Sequence, residues 1–105
     1  MTERVPSARL LVDSLIGTDL QTPSGRRNTI LRVEGDAIVV ATSKSPKGKL
    51  VPLQTVQAAL DSLQATGSVV IHPTEVGYRS AFIGAVLRTL PGARLQGSSP
   101  PIITV

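Results

Sequence analysis

Two strand-like runs, Asn28–Glu34 and Ala37–Thr42, are separated by only two residues, Gly35-Asp36. A link that short cannot carry a crossover, so the two runs have to pair antiparallel. Glycine at the first turn position takes the positive φ that a type II′ hairpin requires. Leu31 and Val33 are expected on one face, with Arg32 and Glu34 on the other. Ile38-Val39-Val40 is apolar on both faces and predicts a covered, central strand. Thr18–Thr22 offers a third strand beside Asn28–Glu34, entered through the turn signal Pro23-Ser24-Gly25.

Helical spacing accounts for much of the remainder. Ser7 suits the N-cap of a short helix from Ala8 to about Ile16, with Leu11 and Leu15 four apart and Gly17 closing it. A second helix, Pro52 to about Ala65, buries Leu53, Val56, Ala59, Leu60 and Leu63 and ends at Gly67. Ser68–His72 reads as a strand, and Pro73 turns the chain. A third helix, Tyr78–Leu90, carries the stripe Phe82, Ile83, Val86, Leu87 and Leu90 and stops at Pro91-Gly92. Across that stripe lie Arg79, Ser80, Gly84, Arg88 and Thr89. Tyr78 and Phe82 are the only aromatic residues among 105, so the core must be aliphatic.

These elements predict an α+β fold: one small domain over residues 1–97, with an antiparallel hairpin sheet and a helix-strand-turn-helix second half resembling a winged helix. In that reading Pro52–Ala65 is the first helix and Val69–His72 the strand. Tyr78–Leu90 is the recognition helix, and Ala93–Leu95 opens the wing. The alternative is a compact α+β domain whose hairpin and strand share one sheet, with helices on one face. Residues 98–105, which begin Ser-Ser-Pro-Pro, read as a tail or linker.

The formal net charge is +4, and its placement matters more than its size. Residues 26–49 hold Arg26, Arg27, Arg32, Lys44, Lys47 and Lys49 against Glu34 and Asp36. From Val76 onward Arg79, Arg88 and Arg94 face no acid, while residues 50–75 hold only Asp61 and Glu75. Two basic blocks flanking an acidic middle favour a polyanionic partner. The stretch Thr42-Ser-Lys-Ser-Pro-Lys-Gly-Lys49 is expected as a mobile basic loop whose lysines and hydroxyls reach phosphates. Candidate DNA-binding residues are therefore Arg26, Arg27, Ser43, Lys44, Ser45, Lys47 and Lys49, then Tyr78, Arg79, Ser80 and Arg88 at the third helix.

The segments Val51–Leu63, Gly67–Ile71 and Val76–Leu87 resemble an accessory domain of bacterial HNH-type restriction endonucleases, including enzymes that act on modified DNA. The resemblance spans roughly residues 18–95. It implies that this module recognises DNA, while nuclease chemistry sits in another domain or subunit. The site residues above rest on charge and position, not on the resemblance.

Other functions find little support in the sequence. One histidine, His72, cannot supply an HNH centre, and the absence of cysteine removes thiolate metal sites and disulfides. No catalytic constellation, metal or cofactor is expected, and no small-molecule substrate. Ser45-Pro-Lys-Gly-Lys49 lacks P-loop spacing. Stacking on single strands or RNA wants more exposed aromatics than this chain owns. No apolar run is long enough for a membrane partner, and the first residues lack the apolar core of a signal peptide, so a cytoplasmic protein is expected. The competing reading is a protein–protein adaptor, docking through the last helix, where Gly84 between Ala81 and Ala85 permits close backbone approach.

Overall fold

The computed structural model describes residues 7–23, 25–72, 80–97 and 101–105. In chain order the elements are α1 (Ala8–Leu15), β1 (Asp19–Gln21), β2 (Arg27–Glu34), β3 (Ala37–Thr42) and β4 (Lys49–Pro52). There follow α2 (Leu53–Thr66), β5 (Ser68–Val70), α3 (Ser80–Leu87), β6 (Arg94–Gln96) and β7 (Ile102–Thr104). The fold is α+β, as expected. Two antiparallel sheets form, ordered β1-β2-β3-β4 and β5-β7-β6, so hairpin and later strand do not share one sheet.

The first sheet is a meander, in which each strand turns back beside the one before it. Gly35 takes a φ of +58° where the β2–β3 hairpin reverses. Ile30 pairs with Val40 and Val33 with Ile38, but the register shifts between Ile30 and Arg32. That bulge corrects one expectation. Ile30 and Val33 turn toward the core, and Leu31 points outward at 37% exposure. The extra residue breaks the period of two on which the pairing of Leu31 with Val33 relied.

β3 is covered on both faces, as its sequence predicts, but by different means. Ile38 and Val40 enter the core between the sheet and the helices. Val39 lies on the opposite face, outside that cluster, and is buried there with Gly48 packed close to it. The segment between β3 and β4 is thus a built turn, not the mobile loop expected. Thr42 and Ser45 exchange backbone hydrogen bonds of 3.2 and 3.1 Å, and the Gly48 amide donates to the Ser45 carbonyl at 3.0 Å. Lys49, expected in that loop, opens the edge strand β4 opposite Val40.

The helices follow their caps and stripes. Ser7 Oγ accepts from the Leu10 amide, and α1 buries Ala8, Leu11 and Val12. α2 starts after Pro52, buries the five expected residues, and ends on Gly67 in the left-handed conformation. The Gln57 side chain accepts from the Ala8 amide at 2.9 Å and fixes α1 on α2.

The second half departs further from its sequence reading. Six consecutive residues of α3, Phe82 to Leu87, are buried, so the expected two-faced helix has almost no open face. An added Cβ at Gly84 would lie 2.8 Å from Pro23 Cγ and 3.1 Å from Ile71 Cγ2. The glycine admits the β1–β2 turn on one side and the segment after β5 on the other. Residues 102–104, expected in a tail, form the middle strand of the second sheet, with Ile103 fully buried between Val69 and Leu95. Among the described residues no helix is long and apolar enough to cross a membrane.

Candidate nucleic-acid interface

A meander sends alternate turns to opposite ends of its sheet. The β1–β2 turn therefore emerges beside the β3–β4 turn, with Asn28 paired to Thr42 where both leave the sheet. Arg26 and Arg27 come from the first turn and Lys44, Lys47 and Lys49 from the second, which unites most of one basic block at one end. Arg32 is absent from this group, because it binds Glu34 at 2.6 Å toward the opposite end. There the Gly35-Asp36 turn also meets Arg9, which donates to the Gly35 carbonyl at 2.8 Å and lies 3.7 Å from Asp36. One end of the sheet thus carries paired charges and the other an excess of cations.

Between the two cationic turns lies a cleft of about 290 Å³, closed on its third side by Ala81 and Phe82 of α3. Arg26, Arg27, Ser43, Lys44, Ser45 and Lys49 line it with Asn28, and among the described residues no acidic one does. Thr22 Oγ1 accepts from the Arg26 amide at 3.0 Å and fixes the backbone from which that side chain projects. Arg27 is partly offset by Asp19, whose carboxylate lies 3.7 Å away and also accepts from the Thr29 hydroxyl. A shallower depression on the outer face shares Arg27, Thr42 and Ser43, extending the polar surface toward β1.

The remaining candidate residues sit differently. Lys47 is exposed on the same turn but outside the cleft lining. Ser80 begins α3, half-buried beside the cleft. Tyr78 and Arg79 lie outside the described residues. Arg88 follows the far end of α3 and donates to the Gln21 and Thr22 carbonyls at 3.3 and 3.1 Å, fastening the β1–β2 turn to the helix. Its position supports the cleft from behind. His72 is exposed after β5, and no cluster of three metal-ligating side chains occurs among the described residues.

Asn28 is the lining residue that the sequence reading missed. It precedes Ile30 by two positions and shares its inward face, so a polar side chain occupies a core-facing slot at the strand end. That parity was the available signal, obscured by taking Leu31 as the inward residue. No family model, curated protein or solved structure matches this chain.

Proposed function

We propose that this chain is a duplex-DNA-binding module that holds backbone phosphates with the basic end of its first sheet. The observation that carries this reading is the convergence of Arg26, Arg27, Lys44 and Lys49 on one cleft that no acid among the described residues lines, with Lys47 beside it. Cations gathered on one surface release counterions when phosphates replace them, which favours polyanions over small ligands. Two tight turns on a sheet also present those cations from a rigid base, so little order is lost on binding.

We propose further that the second half of the chain works as a winged helix. α3 falls between β5 and β6, and the strand order β5-β7-β6 is what a strand followed by a two-stranded wing would give. Because α3 is buried from Phe82 onward, any groove contact by this element falls to Ser80, Ala81 and the residues preceding them. In the wider proposal the module serves a restriction nuclease whose catalytic groups lie in another domain or subunit, and reads modified DNA for it.

Binding to a duplex measured by fluorescence anisotropy should weaken roughly tenfold or more between 50 and 200 mM salt if several phosphates are engaged. Replacing Lys44, Lys47 and Lys49 together with alanine should weaken all duplexes alike and flatten the salt dependence. Binding that ignores salt, or no binding at low salt, would sink the proposal.

A further inference from the structure

The floor of the cleft carries a feature that phosphate contacts along a duplex do not use. Asn28 is 6% exposed, and its side-chain amide has no hydrogen-bond partner among the described residues. Buried amides are seldom left unpaired unless something outside the chain completes them. Behind Asn28 lies a void of about 10 Å³, lined by Val40, Val51 and Phe82 together with Thr42 and Lys49. A void that small lies at the lower limit of what holds a single water, and leaves little room for a partner on that side. The amide's partner is therefore expected on the cleft side, among Arg26, Lys44 and Lys49.

The charge of that partner can be bounded. With Arg27 shared by Asp19, three lining cations remain that meet no acid in the cleft among the described residues. A phosphodiester offers one negative charge, whereas a phosphomonoester carries about 1.5 to 2 at neutral pH and three terminal oxygens. The cleft is enclosed by two turns and a helix, so a strand end enters it more readily than an uninterrupted duplex.

We propose that this cleft seats the terminal phosphate of a nucleic-acid strand. Asn28 Nδ2 donates to one phosphate oxygen, and Arg26, Lys44 and Lys49 meet the remaining charge. The inference rests on the duplex-binding reading and adds a preference for phosphorylated ends. Hydrogen bonds to ionised acceptors are the strong ones, and the basic rim steers the end inward.

The test compares one blunt duplex bearing 5′-phosphate, 3′-phosphate or hydroxyl ends, by anisotropy at fixed salt. One phosphorylated form should bind about tenfold more tightly than the hydroxyl form. Inorganic phosphate should compete away that increment and shift the Asn28 side-chain amide resonances. Asn28→Asp, which replaces the donor with a charge of the phosphate's own sign, should abolish the increment and take more from phosphate-ended than from hydroxyl-ended binding. The wild-type end comparison and the amide resonances decide the matter even if that variant folds poorly. Duplex binding indifferent to the end group, with the Asn28 resonances unmoved by phosphate, overturns the seat and leaves the module reading standing. No duplex binding at all, with the Asn28 resonances still shifted by inorganic phosphate, overturns the module reading and the strand-end assignment with it, leaving a site for free phosphate.

Discussion

Two glycines show how narrowly single residues hold the cleft in shape. Gly48 has a φ of +99°, and a Cβ there would lie 2.5 Å from Val39 Cγ1. Gly48→Ala combines left-handed strain with overpacking, and should cost about 3 kcal/mol, read as a lower urea midpoint. Gly84→Ala pushes against the Pro23 ring and Ile71 instead. The expected loss is about 1–3 kcal/mol, accompanied by weaker DNA binding because the β1–β2 turn must give way. Phe82 is buried at the cleft wall, and Phe82→Ala should cost about 3–5 kcal/mol in the same measurement. At this scale the sequence disclosed the cations fully, since charge needs no structure to be counted. It hid Asn28, because one bulged residue reverses the inward parity of β2 and nothing local announces a bulge.

Elements with their own punctuation were the legible ones. α2 carries a proline before it, a five-residue apolar stripe and a left-handed glycine after it, and α1 carries a serine cap. The β2–β3 hairpin is specified by its two-residue link. β4 and β7 lack such marks: β4 is four residues with one buried, and β7 is three residues after a proline pair. Their strand state comes from the partners waiting for them, β3 in one case and β5 with β6 in the other, which is a tertiary effect on weak local preference. α3 was legible as a helix but not as a buried one, since the turn and sheet that cover it come from distant parts of the chain. Removing residues 98–105 should therefore undo the second sheet and lower the melting midpoint followed by circular dichroism, while the first sheet still melts cooperatively. Ile103→Ala alone should cost about 2–5 kcal/mol, whereas a dispensable tail would leave the midpoint unchanged.

Across the whole molecule the charges are sorted by sheet end, and that sorting separates two sets of arginines. Arg9 and Arg32 are engaged with the acids of the Gly35-Asp36 end, so Arg32→Ala should leave the salt dependence of DNA binding unaltered. Joint replacement of Arg26 and Arg27 with alanine should reduce that slope by about one for each phosphate no longer neutralised. The two sheets also differ in how their strands meet. Consecutive strands form the first, across turns of a few residues, but the second waits for β7, which pairs with β5 across about thirty residues of sequence and alone joins β5 to β6. Loop closure taxes that pairing and not the meander. The molecule should consequently assemble in two stages, and open in the reverse order. In native-state hydrogen exchange, amides of Val69, Leu95 and Ile103 should exchange through a shared partial opening while those of Ile38 and Val40 wait for global unfolding. The cationic end would then persist, ordered and able to meet a polyanion, in a form whose second sheet has come apart.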